Sequence, residues 1–372
     1  MKNKHLIRKI LICILSVLLV CCVGLGCYGT IRHYRFSRSA DSSICTKADN
    51  IIMMIGDGMG FNHLEVAKVY LEKDTLAMQT LPIKSASRTD SLTPFSPTDS
   101  AAGATALSTG NKVYNSNVGR LNGKDLENIC EIAKAKGKGV GIVCTDSLSG
   151  ATPASFSAHA DARRDEQKII ADQIESDIDI FLGSGYATYV QHQSKIENAG
   201  FVFTNNFDDL NLDCDRIFAS FLSIANSDYT NLTPSLQSLA EFAVEFLSNK
   251  FPQGFFLMIE GSHIDKRSHK NDIIGMVEYL REFDNTILAV KTKLQANNKD
   301  NLLIVTADHE TGNLQYNGQT KSEINNKMFK STGHTSKDVP IFIWATKSFK
   351  MPSRVENTEL FFLMKNSMLK TG

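Results

Sequence analysis

Ser100 is the hydroxyl of this chain best placed to act as a nucleophile. It lies in Thr98-Asp99-Ser100-Ala101-Ala102-Gly103-Ala104-Thr105-Ala106-Leu107-Ser108-Thr109-Gly110, a run of small residues with a carboxylate directly before the serine. Pro94 and Pro97 block a helix ahead of it and the alanines behind favour one, which puts Ser100 at or near a helix N-terminus. Free backbone N–H groups and the positive end of the helix dipole gather at such an end and suit a phosphate or sulfate ester. The same pattern also describes an N-cap serine on a tightly packed helix, so this segment alone does not decide the chemistry.

Asp265 and His269 stand four apart in Asp265-Lys266-Arg267-Ser268-His269, which on a helical turn puts both on one face at metal-ligand spacing. Asp308 and His309 close an apolar run, and His334 sits in the polar stretch Ser331-Thr332-Gly333-His334-Thr335. Taken singly, these are equally a surface pair, a turn cap and an exposed histidine. Taken together, oxygen and nitrogen donors at successive strand ends suit zinc, which accepts Asp and His in tetrahedral sites and can keep one position open. Asp57, Thr152 and Glu260 offer oxygens only, a set that suits a hard ion such as Mg2+.

The elements that must position these residues are legible as alternating patterns. Apolar runs at 51–55, 139–144, 178–182, 255–259 and 302–306 read as buried strands, several of them stopped by Gly or Asp. Helical stretches are expected at 62–71, 126–136, 164–174, from Thr233-Pro234 to 248, and at 272–294. A polar loop over 145–153 is expected to lead into a helix carrying His159 and Arg163. Strands alternating with helices predict an α/β fold with a mostly parallel central sheet and helices on both faces. Ligands bind beyond the carboxyl ends of such strands, where Asp57, Glu260, Asp308 and His309 fall. No repeat or low-complexity linker divides the chain, so residues 46–372 are expected to form a single domain.

The chain has 372 residues, 42% hydrophobic, with 40 basic and 40 acidic side chains and a formal net charge of zero. That balance excludes a disordered chain and leaves no basic stripe for nucleic acid, so any phosphate recognition must be local. Lys2, Lys4, Arg8 and Lys9 precede an apolar run over 10–29, close to the ~20 residues that span a bilayer. Residues 1–45 are therefore expected to be a membrane anchor or signal segment with a tether. The length of the run favours an uncleaved anchor, with the remainder extracytoplasmic, in a periplasm or at the cell surface. Of the eight cysteines, Cys13, Cys21, Cys22 and Cys27 lie in that run, and Cys45, Cys130, Cys144 and Cys214 lack CxxC spacing. This argues against a zinc-thiolate site and against a disulfide-dense scaffold.

Over residues 49–346 the sequence resembles the alkaline phosphatases. The resemblance rests on Ile55-Gly56-Asp57-Gly58-Met59-Gly60, on Thr98 to Gly110, and on Ala151-Thr152-Pro153-Ala154 followed by His159 and Arg163. It continues through Glu260-Gly261-Ser262-His263-Ile264-Asp265-Lys266 with His269, Thr306-Ala307-Asp308-His309-Glu310 and Gly333-His334-Thr335, in the family's order. Carried over residue by residue, it implies two Zn2+ and one Mg2+ per chain. One zinc would be held by Asp265, His269 and His334, the other by Asp57, Asp308 and His309, and the magnesium by Asp57, Thr152 and Glu260. Ser100 would be the nucleophile, Arg163 the phosphate-gripping arginine, Asp99 its positioner, and Lys266 a positive charge acting on phosphate through water.

The implied activity is hydrolysis of small phosphate monoesters by two-metal chemistry through a phosphoseryl intermediate, serving phosphate scavenging, with a homodimer as the family's expectation. The chain departs from the family's pattern at Gly150, where many members carry an acidic residue or a histidine, and at Ser268, which replaces an acidic residue. The short stretch from His309 to His334 implies a reduced crown and an open entrance. His63, His192 and His263 read as surface or packing histidines. A relative with the same metal core acting on diesters, sulfates or phosphonates is the nearest rival reading, and a noncatalytic binding protein is a more distant one.

Overall fold

The computed structural model describes residues 44–223 and 234–369, together with Ile14 and Ser16. The anchor or signal expected over residues 10–29 lies, apart from those two residues, outside the described ones. No helix among the described residues is long and apolar enough to cross a membrane. The described residues from 44 onward form one compact unit.

Among the described residues, ten strands make up the main sheet: β1 (Asn50–Gly56), β2 (Ile83–Arg88), β3 (Gly139–Ser147), β4 (Ile180–Ser184), β5 (Val202–Thr204), β6 (Ile217–Phe221), β7 (Phe255–Gly261), β8 (Asn301–Thr306), β9 (Val339–Ala345) and β10 (Arg354–Glu356). Across the sheet they run β10-β2-β9-β8-β1-β7-β3-β4-β6-β5. β9 is antiparallel to β8 and β2, and every other pairing is parallel. β1 is central, with Ile55 opposite Thr306 on one side and Glu260 on the other. The carboxyl ends of β8, β1 and β7 are thus level, and whatever follows them in sequence emerges at one place.

Helices α1 (Phe61–Tyr70), α2 (Ser100–Thr109), α3 (Ile129–Ala135), α4 (Ala151–Ser157), α5 (Glu166–Glu175), α6 (Leu236–Lys250), α7 (His263–His269), α8 (Ile273–Gln295) and α9 (Thr358–Leu369) pack around the sheet. The period-two pleat sends Ile52 and Met54 of β1 into one apolar cluster with Leu64 of α1, Leu239 of α6 and Leu280 of α8. Ile51, Met53 and Ile55 enter a second cluster with Leu107 of α2, Ile132 of α3, Ile170 of α5 and Leu360 of α9. Both faces are therefore covered, which is why the strand sequences are continuously apolar. Between His309 and His334 the chain makes only the short antiparallel pair of Glu310–Thr311 with His334–Thr335 and the 3₁₀ turns Lys321–Glu323 and Asn326–Met328.

Most element ends fall within three residues of expectation, and two expectations need correction. The 145–153 stretch is not one loop: β3 continues to Ser147 and α4 already begins at Ala151. Nor does that helix carry His159 and Arg163. It stops at Ala158, whose backbone is extended (φ −154°, ψ 167°), because the chain is captured there by a bridge between Val118 and Ala160. The helix expected from residue 126 starts only at Ile129, where Asn128 and Glu131 form a reciprocal capping box. Cys45, Cys130, Cys144 and Cys214 are free thiols.

The start of α6 is tied to α8 by Glu282, whose Oε1 accepts the Leu236 N–H at 2.8 Å. Burial pushes the Glu282 carboxyl up from 4.5 to about 7. The folded chain therefore holds this proton across a window where the unfolded chain has lost it. The associated stability is present below the unfolded value and lost as pH rises through the folded one. Glu282→Gln keeps an acceptor for Leu236 and removes the charge. It should raise unfolding stability by about 1–2 kcal/mol at about pH 8 and by close to nothing at about pH 4. Urea denaturation at both pH values checks this; an equal effect at both would refute it.

Candidate active site

α2 begins with Ser100 because Asp99 caps it: Asp99 Oδ1 accepts the Ala102 N–H at 3.0 Å. The hydroxyl of Ser100, 4% exposed, points to His309, with Oγ 3.2 Å from Nε2. The small residues of α2 let it lie against the chain that follows β8. A Cβ on Gly103 would stand 2.9 Å from the Asp308 carbonyl oxygen, closer than side-chain carbons pack. Gly58 plays a matching part after β1. Its φ is +75°, and a Cβ there would be 2.9 Å from the Asp265 backbone, so only glycine suits both the turn and the approach.

The expected metal donors converge in two groups that share His309. Asp57, Asp308 and His309 form one group, and Asp265, His309 and His334 form the other. His269 joins the second: its Nε2 lies 3.3 Å from Asp265 Oδ2 and 3.1 Å from His334 Nε2. His309 Nε2 is 3.2 Å from Asp308 Oδ2 and 3.5 Å from Asp57 Oδ1. The rings of His309 and His334 stack with centroids 3.6 Å apart. Glu260, at the end of β7, and Thr152, in the first turn of α4, are both buried.

Hydrogen bonds behind these groups decide which nitrogens face inward. His334 Nδ1 is 2.9 Å from the Thr98 carbonyl, and His269 Nδ1 meets the Thr332 carbonyl. A carbonyl can only accept, so both Nδ1 atoms carry hydrogen, and in the neutral rings both Nε2 atoms present lone pairs. At His309 the chain is one step longer. Thr311 Oγ1 donates to Asp265 Oδ1 at 2.5 Å and therefore accepts from His309 Nδ1 at 3.2 Å. Burial holds His309 down at about 4, and His334 is also lowered, by burial and by the charge of His309.

The result is a cluster of oxygens and imidazole nitrogens whose polar atoms are only partly satisfied. Asp57 Oδ1, Asp308 Oδ2 and Thr152 Oγ1 are buried with no hydrogen-bond partner. Burial, then the charges of Asp308, Asp265 and Glu260, push Asp57 well above the usual carboxylate range. Glu260 is raised to about 8, chiefly by burial and also by Asp146 and Asp308. Asp308 is raised to about 6 by burial and by Asp265. Asp265 is the exception: against its burial, the hydrogen bond of His269, which the pairing raises toward its protonated form, the charges of His309 and His269, and the bond from Thr311 hold it low. Orphaned oxygens, mutually repelling carboxylates and inward imidazole lone pairs are what divalent cations satisfy. The nitrogen-containing groups fit zinc and the Asp57, Thr152 and Glu260 oxygens fit a harder ion.

The arginine side of the site is built differently. Arg163 lies in the turn beyond α4, where its backbone N–H donates to the Ser116 carbonyl at 2.7 Å. Its Nη1 reaches Asp99 Oδ2 at 3.4 Å, and the Ser116 N–H donates to the same oxygen at 2.9 Å. Lys266 pairs with Asp146, so its amine is held beside the Glu260 side of the site. His263 stacks on Tyr279 and His63 is buried, so neither is a surface histidine. Sequence reasoning missed Thr311, Ser116 and Asp146. Thr311 had a faint signal, two residues past His309 in an alternating stretch; Ser116 acts through its backbone and had none.

Without cations, the raised carboxyls make the folded chain hold protons up to about 8, so metal-free stability falls as pH rises through that range. Bound cations replace those protons. The melting temperature gap between loaded and chelator-stripped protein should therefore be wider at about pH 8.5 than at about pH 5.5. An equal or narrower gap at the higher pH would overturn the assignment of these carboxyls to a cation site.

The alkaline phosphatase family model matches residues 48–212 and 219–329. Alkaline phosphatase 3 of Bacillus subtilis strain 168 is 33% identical over 285 residues, covering 71% of this chain and 61% of the relative. The chain thus spans about three-fifths of the length of that relative. The structure of alkaline phosphatase from the Antarctic bacterium TAB5 superposes with a TM-score of 0.76 at 27% identity, over 87% of this chain and 98% of that one. A variant of the TAB5 enzyme with Mg bound in its M3 site matches with a TM-score of 0.74 at 26% identity, over 87% and 99% of the two chains. The sheet, the convergent donors around His309 and the match over most of the sequence agree: the chain belongs to the alkaline phosphatase family.

Proposed function

We propose that this protein hydrolyses phosphate monoesters to an alcohol and inorganic phosphate through a phosphoseryl intermediate, with two Zn2+ and one Mg2+ per chain. The observation that carries the reading is the Ser100 hydroxyl, 3.2 Å from His309 Nε2 and so at the edge of the acceptor cluster. Asp265, His269 and His334 would hold one zinc, Asp57, Asp308 and His309 the other, and Asp57, Thr152 and Glu260 the magnesium. When bound, such ions supply positive charge to the phosphoryl and leaving oxygens and lower the pKa of oxygens beside them.

The chain's own groups then have defined work. Ser100 Oγ loses its proton to solvent and attacks phosphorus, and the ester P–O bond breaks so that the leaving oxygen departs as the alcohol. Arg163 holds two nonbridging oxygens with its planar fork of N–H donors, oriented by Asp99. Water then attacks the phosphoserine, the Ser100 O–P bond breaks, and the serine regains a proton. Because charge spreads over many oxygens in a loose transition state, positioning and positive charge carry most of the rate. The short 310–333 segment leaves the entrance open, which favours broad substrate choice. A role in phosphate scavenging outside the cytoplasm, anchoring through residues 10–29 and a homodimeric assembly belong to the same proposal.

The test is phosphate release from an aryl phosphate monoester by the metal-loaded full chain. Ser100→Ala should lower kcat on the order of 10³-fold with bound metal unchanged. Arg163→Lys should lower kcat/KM about 10- to 100-fold, since a point charge cannot replace the two-point grip. A metal-loaded parent that prefers diesters or sulfates to monoesters would replace this reading with one of a sister activity.

A further inference from the structure

Two donor-bearing segments are joined by a buried imidazole that the reaction leaves unused. His63 of α1 is 0% exposed. Its Nδ1 accepts the backbone N–H of Gly60 at 3.2 Å, at the end of the loop that presents Asp57. Its Nε2 lies 3.1 Å from Ser268 Oγ, on α7 between Asp265 and His269. The Ser268 hydroxyl donates its single hydrogen to the Ile264 carbonyl at 2.8 Å, so the hydrogen between the two side chains must come from Nε2. The ring is then the neutral Nε2–H tautomer, which leaves Nδ1 free to accept from Gly60. Burial, which lowers His63 to about 3, agrees with a neutral ring. Phe329 packs edge-on against it at 6.2 Å.

Each part of this relay requires the others. A carboxylate at 268 would call for a charged partner, whereas a hydroxyl that already donates along its own helix accepts from a neutral ring. Glycine at 60 is needed as well, since a Cβ there would meet Glu310 Cγ at 2.4 Å. Hydrogen bonds at Gly58 tie the loop to Asp308 and Thr311, but its approach to Asp265 is a van der Waals contact without a directional bond to α7. The two hydrogen bonds of His63 supply that direction.

We propose that His63 is a positioning residue for the metal centre, locking the Asp57 loop to the helix carrying Asp265 and His269 through Gly60, Ser268 and Ile264. It sets the separation of the two nitrogen-containing donor groups. The inference rests on the reading of those residues as metal ligands.

The experiment is zinc affinity of the metal-stripped full chain, measured by competition with a chromophoric chelator, alongside the melting temperature of the stripped form. His63→Phe keeps ring volume and removes both bonds; Ser268→Ala removes one hydroxyl and tests the same relay with little risk to folding. Each should weaken zinc binding about 10-fold or more. The double variant should bind no more weakly than His63→Phe alone, because the two side chains act as one link. Variants that bind zinc as the parent does, or whose effects simply add, overturn the proposal, as does a fall in melting temperature with zinc affinity intact. A parent that binds no zinc overturns the ligand assignment and this inference with it; a zinc-binding parent with indifferent variants overturns this inference only.

Discussion

Carboxylates that repel one another are packed where water cannot reach them, and most of the surrounding structure exists to make that tolerable. Asp57, Asp308 and Glu260 are all buried at the ends of neighbouring parallel strands. Held apart from solvent and close together, they raise one another's proton affinity. Hydrogen bonding relieves only part of the strain: Asp308 Oδ1 accepts from Gly58 N–H at 3.2 Å and from His309 N–H at 3.0 Å, while Oδ2 has no hydrogen-bond partner. A buried acceptor left without a donor costs about 1–3 kcal/mol, so protons or positive charge among the donors stabilise this arrangement.

The parallel sheet makes such crowding possible. Level carboxyl ends at β8, β1 and β7 deliver side chains from three remote parts of the sequence to one spot, with rigid strands behind them. The imidazoles are then aimed from the rear, by Thr98, Thr332 and Thr311, so that each ring faces inward with a lone pair rather than a hydrogen. The Thr98 carbonyl does this two residues before Ser100, which ties the orientation of His334 to the start of α2.

Strand-end donors were legible in the sequence because a continuous apolar run broken by Asp or Glu has few other meanings in an α/β chain. Asp57, Glu260, Asp308 and His309 are of this kind, and Asp265 with His269 share a face because helix α7 keeps the four-residue spacing. The course beyond α4 was not legible. Ala-rich sequence after Thr152 favours continued helix, but the bridge from Ala160 to Val118 stops it, and that competitor lies 42 residues upstream. Thr311 and Ser116 stayed hidden for a related reason: their parts depend on which atoms tertiary packing brings near, and backbone groups carry no sequence signal. Ser268 stood out only as a replacement of an acidic residue and His63 only as a packing or surface histidine; their part in the site shows as a hydrogen-bonded pair.

Asp99 joins the two halves of the site. One of its oxygens caps α2 through the Ala102 N–H, while the other receives the Ser116 N–H and Arg163 Nη1. Ser116 in turn accepts the Arg163 backbone N–H and adopts a φ of 75°, unusual for a residue with a side chain. Strain of that kind persists only where neighbours over-determine it, and here the neighbours are a helix cap and an arginine. The carboxylate therefore fixes the start of the Ser100 helix and the Arg163 side chain with a single group. Replacing it by an amide would leave one of its three donors facing an N–H, so the cap and the grip could not both be kept. Strand ends supply the clustered donors, one aspartate ties down Arg163, and Ser100 stands at the junction because its helix is packed against the first and capped by the second.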